Sequence, residues 1–254
     1  VYDLGFIPTM GCLHQGHISL IKRSKNECKK TIVSIFVNPT QFNNRKDYQN
    51  YPRNKKKDLS ILKRLKVDFV FLPNKKDVYN FKRKIKIKIP KKDKILCAKY
   101  RKGHFEGVID VMDRLTKLIE PKKIFMGEKD FQQLYLIKNF FQKENKVKII
   151  SCKTIRDKHK LALSSRNFLL NKNEIKIARA ISKNLDNFKK SIKKRKKIQN
   201  LISLKKNEFN TLKNIKIEYL ELRNKFNLKK SFKIKNSKIF IAYYLNQIRL
   251  IDNY

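Results

Sequence analysis

The strongest constraint on this chain is an alternation of short apolar runs with segments of helical periodicity, sustained from Tyr2 to Cys152. Tyr2–Ile7, Thr31–Val37, Val67–Leu72, Ile124–Met126 and Lys148–Cys152 read as strands. Thr31–Val37 is β-branched and almost wholly apolar, as expected of a parallel strand buried on both faces, and Val67–Leu72 is read as the next buried strand. Between the strands, Ile18 and Ile21 mark a helix from Gly16, with Ser24 or Lys25 on its next turn. Pro52 suits the first turn of a helix running to about Leu65. Gly107–Ile119 places Val108, Val111, Met112, Leu115, Leu118 and Ile119 on one face, and Asp130–Phe141 aligns Phe131, Leu134 and Phe141. Strict alternation over 84–89 predicts a half-exposed strand, and Asn38–Tyr51 predicts a long functional loop. The whole pattern is that of an α/β doubly wound parallel sheet.

The rhythm changes in the second part of the chain. Ile175, Ala178, Ile181, Leu185 and Phe188 make an amphipathic helix, followed by the basic run Lys189–Lys197. Ile215–Leu222, Ile239–Leu245 and Ile248–Asp252 read as strands, the last two joined by a hairpin at Asn246-Gln247. The chain is therefore expected to divide into a larger domain, 1–155, and a smaller α+β domain, 156–254.

Composition narrows the function classes. The formal net charge is +43, which raises nucleic acid as a partner. The lysines, however, are spread along the whole chain rather than gathered into a stripe. Heavy joint use of Lys, Ile and Asn is what a genome drifting toward A and T produces. No specific nucleic-acid partner is expected, although nonspecific adhesion follows from the charge. No apolar run is long enough for a membrane span and no leader pattern opens the sequence, so a cytoplasmic protein is expected. The four cysteines show no metal-ligand or disulfide spacing, and no clustered carboxylates suggest a protein-built metal cage.

Candidate chemistry gathers at strand-to-helix junctions. The first is Pro8-Thr-Met10-Gly11-Cys12-Leu13-His14-Gln15-Gly16-His17, at the carboxyl end of the first strand, where open α/β sheets bind ligands. A helix N-terminus there offers N–H groups to phosphate, and Gly11 and Gly16 admit close backbone approach. Half of the chain's four histidines fall here, three apart and able to donate to the same phosphates. A plain junction with two surface histidines is the competing reading. Gly127-Glu128-Lys129-Asp130 is a second such junction, with a solvated lysine and a helix-capping aspartate as its plain alternative. Gln41 sits on a loop just past a buried strand, where its amide suits a hydroxy acid without adding charge, although on these residues alone a surface turn glutamine is the favoured reading. Leu163-Ser164-Ser165-Arg166 offers hydroxyls and a guanidinium, good phosphate ligands, or simply a capping serine and a surface arginine.

Five ordered blocks carry a resemblance. They are GFIPTMG-x-LHxGH; Val33–Phe42 with Asp47 and Tyr51-Pro-Arg53; Arg101–Val108; Phe125–Leu134; and Leu161–Asn167. Together they resemble the pantothenate synthetase family, whose HxGH is a variant of the HIGH motif of the nucleotidyltransferase superfamily. The resemblance implies a Rossmann-like larger domain binding ATP and pantoate, and a smaller C-terminal lid. It implies a ligase that condenses pantoate with β-alanine through a pantoyl adenylate, releasing AMP and pyrophosphate. Residues 10–17, 127–130, Ile155 and 163–166 would meet ATP, with Mg2+ held mainly by its phosphates. Gln41, Gln133 and Asn38 would hold pantoate or β-alanine. His17 would act as proton donor and stabiliser of departing phosphate charge, with His14 and Lys129 beside it. The resemblance also implies a homodimer. Cys12 stands where a small residue is usual and is read as a substitute for Ala, not as a catalytic thiol. Lys102 replaces a common Pro. His159-Lys160 replaces a common Asp-Gly, which puts the turn of the following loop in question. A different nucleotidyltransferase would share HxGH but lack Gln41 and Gln133, and a basic nucleic-acid binder would show no ATP turnover.

Overall fold

The computed structural model describes residues 3–80, 87–142, 147–192, 195 and 197–254. The chain divides into two compact units, Val1–Ile155 and Arg156–Tyr254.

The first unit runs β1 (Leu4–Thr9), α1 (Gln15–Glu27), β2 (Lys30–Ile35), α2 (Arg45–Gln49), α3 (Lys55–Arg64), β3 (Phe69–Phe71), α4 (Lys75–Val78), α5 (Cys97–Tyr100), α6 (His104–Ile119), β4 (Lys123–Gly127), α7 (Phe131–Gln142) and β5 (Lys148–Cys152). Its five strands lie in the order β3-β2-β1-β4-β5, all parallel. The doubly wound α/β expectation holds. Phe6, Ile7, Val33, Ile124 and Phe125 are completely buried in the central strands. Each such side chain contributes on the order of 1.5–3 kcal/mol of transfer free energy.

One detail of the register opens the sheet where the order of connection reverses. β1 pairs with β2 as far as Thr9 with Ile35, and β4 pairs with β5 as far as Gly127 with Cys152. β1 and β4 pair only through Gly5–Lys123 and Phe6–Ile124. Beyond Phe6 the two central strands part company. Pro8, two residues on, has no N–H with which to continue a ladder. The parting lies at the carboxyl ends of β1 and β4, the topological switch point at which sheets of this kind form a ligand crevice.

Several elements differ from the sequence reading. β1 continues through Pro8 to Thr9 instead of stopping at Ile7, because β2 still pairs with it on the other side. The 38–51 stretch is not all loop: Pro39–Gln41 forms a 3-10 turn and Arg45–Gln49 a short helix. α3 begins at Lys55, capped by the Asn54 side chain, rather than at Pro52. β3 is an edge strand whose Phe69 is 51% exposed, not a buried one, since among the described residues no strand pairs on its outer side. Residues 84–86, half of the strand expected over 84–89, lie outside the described residues, and 87–89 carry no strand.

The second unit contains α8 (Lys172–Ser191), α9 (Ile198–Asn210), β6 (Ile215–Asn224), β7 (Ser237–Leu245) and β8 (Ile248–Asn253). The strands form an antiparallel sheet in that order, with the β7–β8 hairpin turning at Asn246-Gln247 and Asn246 at φ +52°. Ala178, Ile181 and Leu185 of α8 pack into one core with Ile239, Ile241 and Leu245 of β7. Arg156 ties the start of this unit to its end. Its guanidinium donates to both Asp252 carboxylate oxygens at 2.7 and 2.9 Å and to the Asn253 carbonyl at 2.9 Å.

Candidate active site

The loop from β1 to α1 is held in shape by side chains. Gly11 and Cys12 have φ of +80° and +52°, consecutive left-handed residues that aim the next two amides the same way. The Cys12 and Leu13 N–H groups donate to Asp58 Oδ2 and Oδ1 at 2.8 and 2.7 Å. Gly11 N–H donates to Thr9 Oγ1 at 3.2 Å. Burial, then the Asp58 carboxylate, pushes the Cys12 thiol up, so it stays protonated at neutral pH.

His14 is the N-cap of α1. Its Nδ1 accepts the Gly16 N–H at 3.0 Å, and the His14 N–H in turn donates to His17 Nδ1 at 3.3 Å. This is a capping box built from two imidazoles. Their ring centroids are 4.1 Å apart. Gly16 is required here, because a Cβ on it would lie 2.7 Å from the His14 ring. Helix-start amides expected to meet phosphate are thus already engaged by Asp58 and by the two Nδ1 atoms. What each neutral ring has left to offer a ligand is Nε2–H. Burial, followed by the Lys129 ammonium, lowers His14 to about 4. Burial, followed by His14 and Lys129, lowers His17 to about 3. Both are neutral donors at physiological pH.

Lys129 belongs to the 3-10 turn Glu128–Asp130 between β4 and α7, on the far side of the sheet opening. Its side chain is mostly buried, with Nζ 3.7 Å from Asp130 Oδ1. Gly127, at the end of β4, faces open space where a Cβ would go.

Asn38 and Gln41 form a second cluster after β2. Gln41 is 8% exposed and Asn38 1%. Asn38 Nδ2 donates to Gln41 Oε1 at 3.4 Å and to the Gly107 carbonyl at 3.2 Å. Asn38 Oδ1 accepts from the Tyr79 hydroxyl at 2.8 Å and from Thr40. Gln41 Nε2 lies 2.7 Å from Met10 Sδ, which joins this cluster to the first loop. From below, His104 Nδ1 donates to the Gln41 carbonyl at 2.6 Å. His104 Nε2 is therefore the acceptor for Arg101 Nη1 at 2.9 Å, and Arg101 Nη2 also reaches the Gln41 carbonyl at 3.3 Å.

The family model described as Pantoate-beta-alanine ligase matches residues 2–254 of this chain. The chain belongs to this family. A pantothenate synthetase of Clostridium botulinum is 39% identical over 99% of this chain and 91% of its own length. One from Francisella tularensis subsp. mediasiatica is 42% identical over 99% and 88%. Among solved structures, pantothenate synthetase from Thermus thermophilus superposes with a TM-score of 0.92 at 29% identity, covering 99% of this chain and 92% of that one. The Francisella tularensis ligase complexed with β,γ-ATP and β-alanine gives 0.83 at 40% identity, covering 100% and 89%. This ligase thus catalyses ATP-dependent synthesis of pantothenate from pantoate and β-alanine, forming an amide bond.

The structure brings the sequence-predicted ligase residues together to different degrees. Met10, Gly11, Cys12, Leu13, His14, Gly16 and His17 share one loop-and-helix start, joined to Gln41 through Met10. Gln15 is exposed at the head of α1, and Gln133 lies half-buried on the first turn of α7. Ile155 is half-buried just after β5. In the second unit, Ser164 Oγ accepts the Arg166 N–H at 3.2 Å as the cap of a 3-10 turn, Ser165–Leu169. Ser165 is buried, and Leu163 and Arg166 are half-buried. Lys160, which the resemblance set against a Gly, takes φ +72°, so a left-handed turn is made here by a lysine.

Sequence reasoning missed Asp58 and Tyr79. Asp58 had a signal: in a helix otherwise basic, it shares a face with Ile61 and Leu62, three and four residues on. Tyr79 had none, since its role depends on the packing of α4 against α6. Among the described residues no helix is long and apolar enough to cross a membrane.

Proposed function

We propose that this ligase works through a pantoyl adenylate formed at the crevice between β1 and β4. The pantoate carboxylate attacks the α-phosphorus of ATP and pyrophosphate departs. The β-alanine amine then attacks the activated carbonyl carbon, forming the amide and releasing AMP. The observation that carries this reading is the paired imidazoles, each committed through Nδ1 to backbone, beside Lys129. Two neutral Nε2–H donors and one ammonium suit the oxygens on which negative charge grows as pyrophosphate leaves. His17, lowered to about 3, acts as a hydrogen-bond donor rather than as a source of a full proton.

Residues 10–17, Gly127–Asp130 and Ile155 form the proposed ATP contacts. Ser164, Ser165 and Arg166 are proposed as further phosphate ligands from their chemistry and from the family resemblance. Gln41 and Gln133 are proposed to hold pantoate, with Asn38 orienting Gln41. The donor set is built for anionic oxygen rather than for a dication, which fits Mg2+ arriving on the ATP phosphates. A cytoplasmic homodimer with reduced thiols completes the proposal. Light scattering during size exclusion should give twice the 30.4 kDa chain mass, and a monomeric peak would remove the dimer.

The deciding experiment is a quenched-flow assay with labelled ATP. Pantoate alone should release pyrophosphate in a burst equal to the enzyme concentration, and AMP should appear steadily only after β-alanine is added. His17→Ala should reduce the burst rate by roughly a hundredfold. Pyrophosphate release that requires β-alanine would rule out the adenylate.

A further inference from the structure

We propose that Asp58 is the positioning residue that sets the histidine-bearing loop for the nucleotide. The proposal rests on the reading that this loop binds ATP phosphates. Asp58 lies on α3, far from the loop in sequence, and is 1% exposed. Both of its carboxylate oxygens are spent on the loop: Oδ2 accepts the Cys12 N–H at 2.8 Å and Oδ1 the Leu13 N–H at 2.7 Å. Consecutive positive φ angles at Gly11 and Cys12 create the amide concavity that elsewhere cradles a bound anion. Here the anion is supplied by the protein itself.

The fit is two-sided. A Cβ on Gly11 would stand 3.0 Å from Asp58 Oδ2, so the absence of a side chain there makes room for the carboxylate. α3 is fixed in turn by its Asn54 cap, whose side chain accepts the Lys57 N–H at 3.1 Å, and by buried Ile61 and Leu62. Leu13 immediately precedes the His14 cap, and Met10, three residues before it, touches Gln41. Asp58 therefore acts on the imidazoles from one side of the loop and on the Gln41 cluster from the other. It touches no reacting atom by this account. Its effect is to make the loop rigid before ATP arrives, so that ordering is not charged to binding.

Three variants and one measurement on the unaltered enzyme test this. Asp58→Asn removes the charge and turns an NH2 donor toward one of the two loop amides, leaving one neutral acceptor for the other. Losing one bond and the charge assistance of the second should lower kcat/KM for ATP by roughly thirtyfold or more, mainly through KM. Asn54→Ala weakens α3 without touching the loop, and should lower Tm while leaving kcat/KM for ATP within about twofold. Asp58→Asn within about twofold of the parent, or an equal loss in Asn54→Ala, overturns the proposal. If His17→Ala also leaves kcat/KM for ATP intact, the ATP-loop reading itself is wrong. If only His17→Ala is impaired, that reading stands and the Asp58 proposal alone fails. Should Asp58→Asn not fold, hydrogen exchange on the unliganded parent decides: the Cys12 and Leu13 amides should exchange at least roughly a hundredfold slower than in an unfolded peptide. Exchange at the peptide rate overturns the proposal.

Discussion

Replacing His17 by Gln should make the enzyme more resistant to mild acid while lowering its activity. In the unfolded chain His17 binds a proton near its ordinary value of 6.5, whereas in the native enzyme it does so only near 3. Between those values the unfolded state holds the extra proton, so stability rises with pH and is lost as pH falls below about 6.5. From pH 7 to pH 5 the linkage relation gives a loss of about 2 kcal/mol from His17 alone. His14, lowered to about 4, adds a similar loss that both proteins share. Gln is the substitution of choice because His17 occupies the third helical position of a capping box, where Gln is a standard partner for the N-cap amide. At pH 7 the variant should unfold in urea close to the parent midpoint. At pH 5 it should exceed the parent by about 2 kcal/mol. The Hε1 resonances of His14 and His17 in the parent should not titrate above pH 5. Parent and variant curves that stay parallel from pH 7 to 5, or titration of those two rings near 6.5, would refute the neutral-imidazole account.

Two further changes probe the supports of the site. Gly107→Ala would put a Cβ 2.4 Å from the Thr40 carbonyl oxygen, forcing α6 off the Pro39–Gln41 turn. It should cost about 1–3 kcal/mol of stability and raise KM for pantoate more than KM for ATP, as steady-state kinetics and urea titration will show. Lys160→Gly should relieve the φ of +72°. Gly's greater freedom in the unfolded chain offsets part of the gain, leaving about 0.5–1 kcal/mol of stabilisation and a Tm higher by about 1–4 °C. A Tm equal to or below the parent's would show that the lysine is not strained there.

Apolar continuity made the parallel strands legible. Lys148–Cys152 matches β5 at both ends, and Thr31–Val37 contains most of β2. The same signal could not separate an edge from a centre. Phe69 and Val70 look like core in the sequence and stand exposed on β3, because neighbour order is a property of the whole topology. α9 escaped because its buried positions, Ile198, Ile202 and Phe209, are too sparse for a clear stripe and follow a lysine-rich run. At the site, contiguous motifs could be read directly: His14 and His17 meet through one turn of helix. The Asn38–Tyr79 and Cys12–Asp58 bonds join residues about forty apart, and no local pattern encodes such a pairing.

The proposed site also bears on how so basic a chain could select among anions. With a formal charge of +43, attraction for anions is abundant everywhere on the surface and discriminates little. Selection must then come from geometry, and the groups at the crevice are geometric ones. The histidines are neutral and directional, held by backbone amides through Nδ1. Gln41 is an uncharged amide buried at 8% exposure and braced by Asn38 and His104. Lysine elsewhere on the surface adds field but cannot imitate these fixed donors. A lysine placed at Asp58 would remove the acceptor on which the Cys12 and Leu13 amides depend. The one acidic position of the basic stretch Arg53–Lys57 and its helix is thus the one least free to follow the composition around it.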